Sequence, residues 1–316
     1  MFPFVMLRFT AAAILASGLA SHGYSKRSLS FSGALAALFV GFISFAASWR
    51  FGLILILFYY TSSKLTKVKE NLKATLEDNY IAGGNRGAVQ VLACSLLGTI
   101  LCMIYFYFAG EDSHINFGDT SSPLINCVFF SMRREIAAAY LSSMYIAHYS
   151  CAAADTWASE IGILSISKPR LVTSLFLREV PHGTNGGMTV LGTVASMAGG
   201  AFIGAIFWIL NFALGAQPLN NHSQYPMVFV GLILGFFGSL IDSVLGATVQ
   251  ATYYSSERKC IIKNPYTSKD KVDHICGMNI LSNEAVNLFS ILLTMIISLW
   301  ISPAVFCFCD SNQCII

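Results

Sequence analysis

Eight apolar runs joined by short polar connections constrain this chain more than any other feature. They fall at about 2–20, 30–47, 51–63, 88–110, 136–154, 188–214, 227–249 and 285–307. A helix needs about 20 apolar residues to cross a bilayer core. The run at 51–63 is short and follows its predecessor closely at Trp49–Arg50. It reads as a tilted, re-entrant or broken helix, so about eight spans are expected, within a range of six to nine. Only 11% of the 316 residues are charged, where a soluble domain carries about 25%. The expectation is an all-α polytopic transmembrane helical bundle, a single domain over 1–316, with cytosolic loops at 64–87, 155–187 and 250–284. A net charge of +3 is too modest for a nucleic-acid binder, which concentrates basic charge far more.

The placement of basic residues tests the span count, because Lys and Arg favour cytosolic loops. Four connections carry Lys26 and Arg27; Lys64, Lys67, Lys69, Lys73 and Arg86; Lys168, Arg170 and Arg178; and Arg258, Lys259, Lys263, Lys269 and Lys271. With eight spans these fifteen share one side, against Arg8, Arg50, Arg133 and Arg134 on the other. Both termini then face away from the cytosol. The triplet "NHS" at 221–223 is a glycosylation sequon on a non-cytosolic loop. The first 20 residues read as a retained helix rather than a cleaved signal peptide, since Arg8 interrupts their apolar run. The nine cysteines are scattered. Those at 307, 309 and 314 are expected to be free thiols at a membrane edge.

Four polar motifs sit near span boundaries, all at the cytosolic end of this topology. In "ADTWASEIG", Asp155 and Glu160 lie about 140° apart around a helix. Two carboxylates there suit Mg²⁺, which takes one or two protein bonds and completes its octahedron with water and phosphate. The plain alternative is a helix cap with Trp157 as an interfacial anchor. In "VPHGTNGGMTVLG", His182, Gly183, Thr184, Asn185, Gly186 and Gly187 precede a helix start. They suit a phosphate-binding nest of backbone N–H groups, or simply a turn. In "GLILGFFGSLIDSVLGATVQ", Gly231, Gly235, Ser239, Ser243 and Ala247 form a small-residue stripe for close helix packing. Asp242, Gly246 and Gln250 form a second stripe beside it, and an aspartate there points to function. In "LSNEAVNLFS", Asn283 and Asn287 share a helix face. Together these motifs gather carboxylates, a glycine turn and amides under basic loops. That set suits phosphoryl transfer, which needs mainly positioning and charge neutralisation.

The motifs "ADTWASEIG", "GTNGGMTVLGTVAS", "GSLIDSVLGATVQ" and "NEAVNLFS" stand in the order found in the transmembrane protein 19 family (domain-of-unknown-function family 92). "SKLTKVKE" and "KRSLSFSGALAALFVGF" resemble its N-terminal half. The resemblance spans roughly residues 20–300 and implies a multi-pass membrane protein. One plant branch of the family is the phytyl-phosphate kinase of vitamin E biosynthesis. The resemblance therefore implies a prenyl-phosphate kinase-like transferase that makes an isoprenoid diphosphate from its monophosphate. Asp155, Glu160 and Asp242 are the candidate catalytic and metal residues, and the 182–187 turn is the candidate phosphate or nucleotide site. Gln250, Asn283 and Asn287 would support them. Mg²⁺ and a nucleoside triphosphate (CTP, UTP or ATP) are the expected cofactor and co-substrate, and the bilayer and a prenyl-phosphate lipid the expected partners. The chain lacks a long Ser/Arg-rich leader, which favours the endoplasmic reticulum over a plastid membrane. The competing reading is a transporter or channel with intramembrane acids, or a membrane protein without chemistry.

Overall fold

A computed structural model describes residues 2–76, 78, 85–109, 115, 117, 134–174, 178–214, 224–262, 265 and 271–309. The glycosylation triplet, Cys127 and Cys314 lie outside the described residues. The chain is mostly helical. Its first half holds α1 (Phe2–Ser25), α2 (Phe31–Ala47), α3 (Trp49–Thr66), α4 (Glu70–Leu76), α5 (Ala88–Ala93) and α6 (Leu96–Phe108). The second half holds α7 (Arg134–Gly162), α8 (Val190–Ala213), α9 (Pro226–Val249) and α10 (Asn283–Cys309). Three of these, α8, α9 and α10, are long and apolar enough to cross a membrane by length and composition, and α2 and α6 are shorter apolar helices.

The apolar runs are all helical, but three boundaries differ from expectation. The run at 88–110 is broken between α5 and α6 at Cys94 and Ser95. His148 on α7 takes up the Cys94 carbonyl there, with Nε2 at 2.8 Å. Helix α7 continues through "DTWASEIG" to Gly162, so Asp155 and Glu160 stand on a helix and not in a loop. A single residue, Ser48, separates α2 from α3: it ends one helix and caps the next, its Oγ accepting from Arg50 N at 3.2 Å.

The polar connections are not all loop, and the fold is not purely α. The 250–284 segment contains β3 (Thr252–Ser255), β4 (Cys260–Ile262) and β5 (Val272–Cys276), an antiparallel sheet in the order β4-β3-β5. β1 (Arg170–Leu171) pairs with β2 (Gly187–Met188). All four basic connections meet at one end of the bundle. Ser30 N donates to Arg86 O at 3.0 Å, Asp78 N to Ile261 O at 2.8 Å, and Asn185 N to Thr252 Oγ1 at 3.1 Å. Arg178 reaches Ile275 O at 3.0 Å. At the opposite end, Arg8 on α1 donates to the Ala47 carbonyl, and buried Arg50 donates to Asn211. Cys307, also at that end, is disulfide-bonded, while Cys94, Cys260 and Cys276 near the basic end are free. This corrects the expectation of free thiols at position 307.

Small residues set the tightest contact. A Cβ on Gly200 of α8 would lie 2.1 Å from Gly231 O and 2.8 Å from Gly235 Cα. One on Gly204 would lie 2.0 Å from Met227 O. Glycine at these positions lets the α8 and α9 backbones touch, which side chains of any size would forbid. The stripe does further work toward the basic end, where Ser243 and Ala247 seat the glycine turn described below.

Candidate active site

Asp155, two turns before the end of α7, and Asp242 on α9 line one cavity, close enough for their carboxyl groups to act on each other. Two carboxylates so placed repel unless a proton or a cation lies between them. Asp242 is held from α10. Ser290 Oγ donates to its Oδ2 at 3.0 Å. The Asn287 amide, oriented with nitrogen toward the acid, donates to the same oxygen at 3.2 Å and to Asn283 O at 3.2 Å. Gln250 Nε2 reaches Asn283 Oδ1 at 3.4 Å. The helical spacing of 283, 287 and 290 puts these groups on one face of α10. The two asparagines read from the sequence are thus brought to the acid pair, and Ser290 joins them.

Two cavities meet at Asp155. The first, about 430 Å³, runs between α1, α2 and α3; apolar Ala16, Ala37, Gly41 and Phe45 line its far part, and Arg86 and Gln90 its polar part. The second, about 280 Å³, is bounded by the 182–187 turn, Thr189, Asp242 and Gln250. Asp155, Ser159 and Asn283 line both.

The glycine turn has the backbone the sequence suggested, with φ of +85° at Gly183 and +71° at Gly186. Its N–H groups are less available than a nest requires. Thr184 N donates to Pro181 O at 3.2 Å, Gly187 N to Thr184 O at 2.9 Å, and Asn185 N to Thr252 Oγ1. The first turn of α8 is also partly used, since Thr189 Oγ1 accepts from Gly192 N at 3.0 Å. What the turn presents instead is side chains, among them His182, whose buried Nδ1 has no hydrogen-bond partner among the described residues. A Cβ at Gly186 would lie 2.4 Å from Ala247 Cβ and 2.5 Å from Ser243 O. Gly186→Ala is therefore expected to destabilise the protein by about 1–3 kcal/mol through left-handed backbone and overlap. A thermal midpoint unchanged by the substitution would contradict this seating.

Glu160 does not join the two aspartates. It is paired with Lys73 of α4, whose Nζ lies 2.5 Å from Oε2 and also donates to Leu65 O at 2.8 Å and Thr66 O at 3.1 Å. Lys73 is 4% exposed. It closes the C-terminal end of α3, where cations suit the unpaired carbonyls, and ties α4 to α7. Among the described residues no group of three or more His, Cys, Asp or Glu is placed to hold a metal. The candidate ligand set is the Asp155–Asp242 pair alone. Lys73→Met is expected to cost about 1.5–3 kcal/mol by leaving Glu160 without its charged partner. Hydrogen exchange should quicken across 70–76, and unchanged exchange would refute the tie.

Arg86 also lies outside the sequence-derived site set. Its N–H donates to Ser28 O at 3.0 Å and its carbonyl accepts from Ser30 N, which pins the backbone beside the start of α2. Its guanidinium donates to Ser63 Oγ at 3.0 Å and Thr66 Oγ1 at 3.4 Å. Among the described residues no carboxylate pairs with it. Trp157, read as an interfacial anchor, packs on Phe202 of α8 with ring centres 5.4 Å apart.

Comparison with known proteins agrees with this architecture. Over 91% of the chain it is 36% identical to Protein PGR of Arabidopsis thaliana, covering 93% of that protein. An uncharacterized membrane protein of Methanocaldococcus jannaschii is 34% identical over 39% of this chain and 44% of its own length. One from Synechocystis is 25% identical over 67% of this chain and 68% of its own. No solved structure matches. The family model described as integral membrane protein DUF92 matches residues 14–295, and the chain belongs to that family of integral membrane proteins.

Proposed function

We propose that the protein is a membrane-embedded phosphotransferase of prenyl-phosphate kinase type, which makes an isoprenoid diphosphate from its monophosphate and a nucleoside triphosphate (CTP, UTP or ATP). The observation that carries this reading is the junction at Asp155 of two cavities, one with a long apolar stretch and one bounded by the polar 182–187 turn. A lipid tail and a polyphosphate need two such compartments, and the reacting groups must meet where they join. In this reading the chain crosses the bilayer about eight times, in the endoplasmic reticulum. The basic connections and the site face the cytosol. The disulfide at Cys307, at the opposite end, fits an oxidising compartment there.

In the reaction an oxygen of the prenyl monophosphate attacks the γ-phosphorus of the nucleotide. The new P–O bond forms as the bond to the β–γ bridging oxygen breaks, and the nucleoside diphosphate leaves. A phosphomonoester has its second pKa near about 6, so it arrives largely ionised and no strong base is required. The chain's task is to align the phosphates and neutralise their charge. Asp155 and Asp242 fit Mg²⁺, because that ion is usually bound through one or two carboxylates with phosphate oxygens and water completing the shell. Bound there, Mg²⁺ supplies charge neutralisation across the reacting phosphates. Ser290 and Asn287 fix the orientation of Asp242, and the 182–187 turn borders the polyphosphate compartment.

A transport reading needs a route past the acid pair to the other face. The bundle interior beyond it is filled by Phe51, Tyr105, Tyr145 and Phe207, all buried, with Phe51 and Tyr145 stacked at 4.1 Å. This filling favours an enzyme open to one side. Chelating divalent cations in a reconstituted preparation is expected to stop diphosphate formation, and added Mg²⁺ to restore it. Product formed at full rate under chelation would remove the metal from the mechanism.

A further inference from the structure

The first cavity has a charged end and an apolar end. Along α2 it is lined by Ala37, Val40, Gly41 and Phe45, the last being farthest along the helix from Arg86. The facing α1 contributes Ala16, Leu19 and Ala20, and α3 contributes Leu55, Ile56 and Phe58, so the wall of this stretch is apolar. Phe45 is 1% exposed. Its ring packs on Trp49 at 5.7 Å and against Gly52, where a Cβ would lie 2.3 Å from it. Glycine at 52 makes room for this ring at the apolar end. From Ala37 to Phe45 the helix rises about 12 Å. At the other end stands Arg86, its guanidinium on two hydroxyls and without a carboxylate partner among the described residues.

We propose that this cavity is a binding site for a single-tailed phosphomonoester, with Arg86 taking the phosphate and Phe45 setting the longest tail accepted. The ligand class rests on the phosphotransferase reading above; the division of labour rests on the cavity. A volume of about 430 Å³, shared with the polar end, suits one chain rather than two. A guanidinium offers the paired donors that phosphate prefers. Its place in the same cavity as Asp155 puts a bound phosphate near the acid pair.

The test is binding, measured by native mass spectrometry on the full chain without nucleotide. The probes are C10, C15 and C20 isoprenyl monophosphates, the C15 alcohol, a two-tailed phosphatidic acid and inorganic phosphate. Arg86→Gln is expected to weaken prenyl phosphate binding roughly 10- to 100-fold, leave the alcohol unchanged, and be partly rescued in Arg86→Lys. Ala37→Phe should shift the preferred tail shorter, and Phe45→Ala longer. A merely structural role for these residues would not move the preference in opposite directions. The same tail order in all three proteins, or equal binding of phosphatidic acid, or of inorganic phosphate alone, would overturn the proposal. The two readings separate cleanly. Length selection without phosphoryl transfer would leave this site standing and remove the kinase reading. Transfer with an unaltered tail order would do the reverse.

Discussion

Asp242→Asn is expected to lower diphosphate formation by at least about 10²-fold, the scale of losing one preorganised electrostatic group at a reacting phosphate. The protein should remain folded. Asparagine matches aspartate in shape, and its side-chain oxygen still accepts from Ser290, which donates to Asp242 Oδ2 at 3.0 Å. What is lost is one of the two carboxylate charges that line the second cavity. Asp155→Asn should act similarly, since Asp155 lines both compartments. The two substitutions should not add, because either leaves a half-site. Removing repulsion between facing carboxylates can even raise the thermal midpoint of each variant. Steady-state rates with circular dichroism on the same samples would decide the matter. Retained activity in Asp242→Asn would remove that residue from the chemistry.

The second large effect concerns the frame. Gly200→Leu is expected to destabilise the protein by about 3 kcal/mol or more, the upper end for overpacking. Its Cβ would meet Gly231 O at 2.1 Å and Gly235 Cα at 2.8 Å, and both are backbone atoms that no rotamer can move. Helix α9 must then part from α8. The separation should reach the site, because α9 carries Asp242 and its Ala247 seats Gly186. Activity should therefore fall together with stability, unlike in the aspartate variants. Phe212→Leu, on an 88% exposed position of the same helix, is the control and should change neither. Cysteine crosslinking or thermal unfolding reads the first effect, and an unshifted midpoint in Gly200→Leu would contradict the close approach.

Much of this organisation is legible in the chain. Apolar runs announce helices because a segment of that length and composition has few other ways to bury itself. The basic connections announced one common end, and Arg86, Asp78, Asn185 and Arg178 meet their partners there. Asp155, Asp242, Asn283 and Asn287 stood out because polar groups inside apolar helices are costly and call for a reason. Other features left weak traces. Strands β3, β4 and β5 are three to five residues long, inside a segment whose lysines and serines look like ordinary loop. Their clues were the runs "TYYS" and "VDHIC", rich in β-branched and aromatic residues. Lys73 and Arg86 looked like two more cytosolic cations, because only the tertiary fold brings one to Glu160 and the other to the apolar cavity. Glu160 resembled a third ligand for the same reason. Helical spacing gives the face a residue occupies, and a partner 87 positions away leaves no mark on that spacing.

If two compartments joined at Asp155 carry out phosphoryl transfer between a lipid and a nucleotide, the product can be detected directly. The direct measurement is to incubate the reconstituted protein with geranylgeranyl or phytyl monophosphate, Mg²⁺ and each nucleoside triphosphate in turn. Mass spectrometry then looks for the prenyl diphosphate. Product is expected with at least one donor from the parent protein, and none above background from Asp155→Asn and Asp242→Asn. No product with any donor, from protein shown to be folded, would contradict it.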